Sequence, residues 1–132
     1  MALAGIITSV TLLLYFWAAF NVQRARKRHN VPAPGTHSVP EFNRVIRTQQ
    51  TLNEHLIIFI PSLWLFSYFL SEFWGCILGS IWIVGRLVYA IGYYQSPEKR
   101  HAGNLIALPA ELLLILGALI GATAQLSVVG IG

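Results

Sequence analysis

Apolar and polar residues along this chain fall into long blocks, without the fine alternation of a soluble fold. Four segments are long and poor in charge: Ala2–Phe20, Leu56–Leu70, Phe73–Tyr94 and Leu105–Ile131. A helix that crosses a bilayer needs roughly 20 mainly apolar residues at ~1.5 Å each. The second segment is short by itself, and helical continuation back toward Arg47 lengthens it. The pattern predicts an all-α integral membrane protein, a four-helix bundle in which residues 1–132 form a single domain.

The breaks between blocks are chemical. The connection VPAPGTHSVP, Val31–Pro40, holds Pro32, Pro34, Pro40 and Gly35, so a helix cannot run through it. The second helix is expected to start near Glu41. In QSPEKR, Gln95–Arg100, Ser96 is placed to cap a new helix, with Pro97 at its first position and Glu98 in its first turn. That start puts Arg100 on the opening turn of the fourth helix, and Pro109 predicts a kink further along.

Composition supports the same picture. Hydrophobic residues make up 55% of the chain and charged residues 11%, against about 25% charged in soluble domains. Ala2–Phe20 has no basic region ahead of it, and the basic run RARKRH, Arg24–His29, follows it. It therefore reads as a retained first span and not as a cleaved signal. Arg24, Arg26, Lys27, Arg28, Arg44 and Arg47 cluster around the first connection, and Lys99 and Arg100 follow the third span. The short connection SEFWG, Ser71–Gly75, has one acid and no base. Basic loops stay cytosolic, so the first and third connections are expected in the cytosol and both termini on the opposite side. Bases that hug membrane helices make nucleic acid a poor partner. Cys76 is the sole cysteine, which excludes an intrachain disulfide, and neither it nor the histidines show metal-ligand spacing. No metal is expected.

Two polar stripes interrupt the apolar pattern. Arg44, Arg47, Thr51 and Glu54 recur at intervals of three, four and three, on one face of the second helix. A snorkelling basic edge accounts for the arginines, but Glu54 stands where the apolar run begins. Arg86, Tyr89 and Tyr93 form the second stripe, on the third helix. Arg86 lies about 12 Å inside the basic end of its helix. A charge that deep costs about 2.5–3.5 kcal/mol and is usually paired; Glu54 and Glu111 are the candidate partners. Glu111 is expected to neutralise an arginine inside the bundle. Together the stripes describe a pocket for a small ligand with more than one carboxylate and one ammonium group. Glutathione fits, and a phospholipid headgroup or a nucleotide phosphate carries a compatible charge.

At this point the chain resembles the family of membrane-associated proteins in eicosanoid and glutathione metabolism. The resemblance rests on ARKRH from Ala25, RVIRTQQTLNEH over Arg44–His55 and RLVYAIGYYQSPEKR over Arg86–Arg100. It implies a homotrimer of four-helix subunits that binds glutathione between protomers near the cytosolic face. By matching position, Arg47, Gln49, Thr51, Glu54 and His55 would line the tripeptide from one side. Arg86, Tyr89 and Tyr93 would line it from the other, with Arg26 at the rim. The thiolate-stabilising arginine of the family falls on Arg100. Lys27, Thr51 and His55 depart from the leukotriene-forming branch, which has arginine, asparagine and tyrosine there.

The implied activity is a membrane glutathione transferase that conjugates lipophilic electrophiles, with lipid hydroperoxide reduction as a second activity. The bacterial inner membrane and the endoplasmic reticulum both suit such a protein. A free thiol with pKa near 8.5 is only a few per cent ionised at neutral pH. Lowering that value by about two units takes roughly 2.7 kcal/mol, and one charge-assisted hydrogen bond contributes about 1.5–3 kcal/mol. Arg100 alone is therefore sufficient. The competing reading is a non-catalytic, lipid-presenting scaffold of the same family, which would not need an activating arginine. An exporter of lipophilic cations would need an acid within its first span, and Ala2–Phe20 has none.

Overall fold

The computed structural model describes residues 2–29 and 40–129. The proline-rich connection expected over 31–40 lies outside the described residues except for Pro40. The chain runs through four helices: α1 (Ala2–His29), α2 (Pro40–Phe69), α3 (Glu72–Gln95) and α4 (Arg100–Val129). A 3₁₀ turn, Pro97–Lys99, joins the last two. Three of these helices, α1, α3 and α4, are long and apolar enough to cross a membrane. α2 is 30 residues long, but its first half is the polar stripe and only its second half is continuously apolar.

Each boundary follows from local chemistry. α1 continues well past Phe20 because the basic run consists of good helix formers. α2 opens on Pro40, whose missing N–H costs nothing at a helix start. α3 is capped by Ser71, whose hydroxyl accepts from the Trp74 N–H at 3.3 Å. The cap expected at Ser96 is different. Its hydroxyl donates to Glu98 at 2.7 Å instead of capping, and its carbonyl accepts from the Lys99 N–H to close the 3₁₀ turn. α4 therefore begins at Arg100, three residues later than the start expected at Pro97, and Arg100 still lies on its opening turn.

Trp64 of α2 donates to Thr8 of α1 at 2.8 Å, and Asn21 of α1 donates to Tyr94 of α3 at 3.3 Å. These contacts, with Arg100 of α4 on Tyr93 of α3, set successive helices antiparallel. They gather the C-terminal ends of α1 and α3 with the N-terminal ends of α2 and α4 at one pole, where the bases of α1, α2 and the start of α4 lie. The core is built around Phe59 stacked on Trp82, with centroids 3.9 Å apart, together with Leu52, Leu63 and Leu114. α3 and α4 pack most intimately. A Cβ on Gly85 would lie 2.7 Å from the Ala107 backbone nitrogen, and one on Gly103 would enter the Tyr89 backbone. Small residues at such crossings let two helix backbones approach in a medium that supplies no hydrophobic driving force between them.

The outer surface is apolar on every helix. Phe16, Ile57 and Leu105 are 69%, 71% and 76% exposed, far beyond what a water-soluble monomer presents. Lipid or further protein must cover it, and the chain is an integral membrane protein.

Candidate functional site

Arg86 organises the interior. It is completely buried at mid-helix on α3, where an uncompensated guanidinium would be prohibitive. Its Nη1 donates to the Asn104 side-chain oxygen at 3.3 Å, and its Nη2 stands 4.0 Å from Glu111 Oε1. Trp82 and Tyr89 flank it, each with a ring centre 5.6 Å from the guanidinium carbon. Of the two acids open to it from sequence, Glu111 is the partner.

Glu111 is the hub of a network that joins three helices. Trp82 Nε1 of α3 donates to Oε1 at 2.9 Å. His55 Nδ1 of α2 lies 2.9 Å from Oε2 and 3.1 Å from Oε1. A carboxylate only accepts, so the imidazole carries a proton on Nδ1. Glu111 thereby fixes two candidate ligand-binding side chains, Arg86 and His55, from a single position. The arginine retains donor capacity: its Nε and Nη2 are buried without a hydrogen-bond partner.

The expected convergence of the α2 and α3 stripes is partial within one chain. Thr51 Oγ1 reaches the Tyr89 hydroxyl at 3.5 Å, and His55 reaches Glu111. Arg47 and Glu54, however, face outward, in line with the exposed Gln50 and Asn53. They do not share an intrachain cleft with Arg86, which is enclosed. Helical geometry explains the split: the inner face of α2 is centred on Leu52, Phe59 and Leu63, Thr51 and His55 lie at its border and reach α3 and α4, and Arg47 and Glu54 lie beyond that border. Gln49 and Arg26 are half-buried. Tyr93 is buried, and Arg100, the first residue of α4, holds its guanidinium carbon 5.4 Å from the centre of the Tyr93 ring. An anion beside Arg100 would also meet the positive end of the α4 dipole. An apolar groove of ≈ 600 Å³ starts at the next residue, His101, and runs along α4 past Leu105 and Pro109 to Leu112. Among the described residues no three His, Cys, Asp or Glu side chains gather as metal ligands.

Sequence reasoning missed Trp82 and Asn104. Trp82 had a signal, standing four residues before Arg86 and extending the same stripe. The contact between His55 and Glu111, 56 positions apart, had none.

Comparison with known proteins adds lineage to this geometry. The sequence pattern of the MAPEG family matches residues 4–120. An uncharacterized protein of Synechocystis sp. is 39% identical, covering 92% of this chain and 89% of its own length. Human microsomal glutathione S-transferase 2 is 37% identical over 76% of this chain and 69% of its own length. Guinea-pig (Cavia porcellus) leukotriene C4 synthase is 32% identical over 95% and 83%.

Proposed function

The chain belongs to the MAPEG family, and from that premise we propose that it is a membrane-embedded glutathione transferase that works as a homotrimer. Relatives named for glutathione transfer and leukotriene C4 synthesis support the chemistry. The observation that carries the reading is the outward polar stripe of α2. Glu54 adjoins His55, which touches Glu111 eleven residues into α4, about 16 Å along that helix. An ionised carboxylate facing lipid at that level is costly. A neighbouring copy covering this face removes the cost and closes a site between protomers.

In this reading Arg47, Gln49, Thr51, Glu54 and His55 hold the tripeptide from α2, and Arg86, Tyr89 and Tyr93 from α3, with Arg26 at the rim. The two glycine- and glutamate-derived carboxylates of glutathione match guanidiniums, and its ammonium matches Glu54. Arg100 donates to the sulfur and favours the thiolate. In conjugation the thiolate forms the new carbon–sulfur bond while the electrophile's leaving group departs or its epoxide opens. In the second activity two glutathiones reduce one hydroperoxide to an alcohol and water and become the disulfide. The apolar groove that starts beside Arg100 suits a lipophilic second substrate arriving through the bilayer. The site faces the cytosol, with both termini on the other side, as the basic pole of the bundle and the positive-inside rule favour.

Purified protein should conjugate glutathione to a general aromatic electrophile, with turnover that saturates in both substrates. Tight glutathione binding without turnover would leave a non-catalytic relative. Failure to bind glutathione at all would reject the enzyme and leave the lipid-presenting scaffold.

A further inference from the structure

A second pocket lies at the basic pole and contains none of the residues assigned to glutathione. It has a volume of ≈ 330 Å³ and sits between α1, α2 and α3, lined by Trp17, Asn21, Arg24, Arg28, Val45 and Tyr94. Asn21, Arg24 and Arg28 follow one another at three and four residues, so α1 turns all three to the same side. Both guanidiniums are exposed, and neither has a carboxylate partner among the described residues. The floor is aromatic: the Trp17 and Tyr94 rings stand 5.9 Å apart, and Asn21 donates to the Tyr94 hydroxyl.

We propose that this pocket binds the phosphate of an anionic phospholipid headgroup. Three features converge on that ligand. The charge is wholly positive, and arginine's fork matches phosphate oxygens. The level is right, because the pocket straddles the point where α1 passes from its apolar run into its basic run, and Trp and Tyr mark that interface. The wall is mixed: Trp17 and Val45 offer an apolar surface to the glycerol end of a lipid, which a free phosphate would leave unused. Basic pockets between membrane helices on the cytosolic side are general sites for anionic headgroups.

The test uses the full chain in neutral detergent, with added phosphatidylglycerol, phosphatidylcholine or soluble glycerol phosphate. Binding is read by native mass spectrometry and by the shift in thermal midpoint. Phosphatidylglycerol should bind and stabilise, and phosphatidylcholine should do so far less. The double variant Arg24→Gln/Arg28→Gln should weaken phosphatidylglycerol binding about thirtyfold while its midpoint without lipid stays unchanged. Lys99→Gln, which removes an exposed base from the same pole, should leave binding intact. Equal binding of the two lipids, or retention by the double variant, would overturn the proposal. So would an equal loss in Lys99→Gln, which would mean diffuse attraction. Stabilisation by glycerol phosphate at the same concentration would reassign the pocket to a soluble phosphate.

Discussion

Glu111→Ala is expected to cost about 3–5 kcal/mol of stability, because it strands the buried Arg86 guanidinium without its counter-charge. It also leaves the buried Trp82 N–H without its acceptor and releases His55, so the thermal midpoint in detergent should fall sharply. The loss belongs mainly to the orphaned charge, and that origin is separable. Replacing both members of the pair by apolar residues of similar size, Arg86→Met with Glu111→Leu, should be much more stable than Glu111→Leu alone. A buried ion pair contributes little net stability, whereas half of one is a liability. Additive effects of the two substitutions would mean that the 4.0 Å contact carries no coupling.

Arg100→Ala should leave the fold intact and remove most of the turnover. The side chain is half-buried at the start of α4 and packs on Tyr93, so its loss opens little core. Its proposed work is on the thiol. If Arg100 lowers the glutathione pKa by about two units from 8.5, the thiolate fraction at pH 7 falls about twenty-fivefold without it. The sign of the pH dependence follows. With Arg100 present, the conjugation rate is already near its plateau at neutral pH. In the alanine variant it should keep rising until the ordinary thiol pKa is passed, so the two profiles converge in alkali. A profile of unchanged shape at a lower rate would assign Arg100 to binding instead of to ionisation.

Much of this architecture was legible because bilayer physics writes itself coarsely into sequence. Long apolar blocks, the position of the basic runs and the proline-rich break fix four helices and their alternation. Arg86 was readable as a charge needing a buried acid, since its depth depends only on its distance from the helix end. Which acid it meets was not readable, because that depends on how α4 is rotated against α3. Gly85 and Gly103 set that rotation by admitting the Ala107 and Tyr89 backbones. The apolar run ends at Phe20 but the helix does not, because leaving the bilayer ends an apolar pattern without ending a helix, and α1 continues to His29.

The candidate site divides in the same way. Spacing alone put Arg47 and Glu54 on one face and Arg86, Tyr89 and Tyr93 on another. It could not say that the first pair turns away from the chain's own core. That fact became visible only once Leu52, Phe59 and Leu63 were seen to occupy the inner face of α2. A polar stripe presented outward by a membrane helix is the strongest physical reason to place the site between subunits.

The central claim is that this chain binds glutathione and holds its sulfur ionised at neutral pH. The direct measurement is a titration of purified protein with glutathione, following the ultraviolet absorbance of the thiolate at pH values around and below 7. A saturable thiolate signal that appears well below the ordinary thiol pKa, and vanishes in Arg100→Ala, is the predicted result. Glutathione that binds with no thiolate signal until the pH approaches that of the free thiol would contradict it.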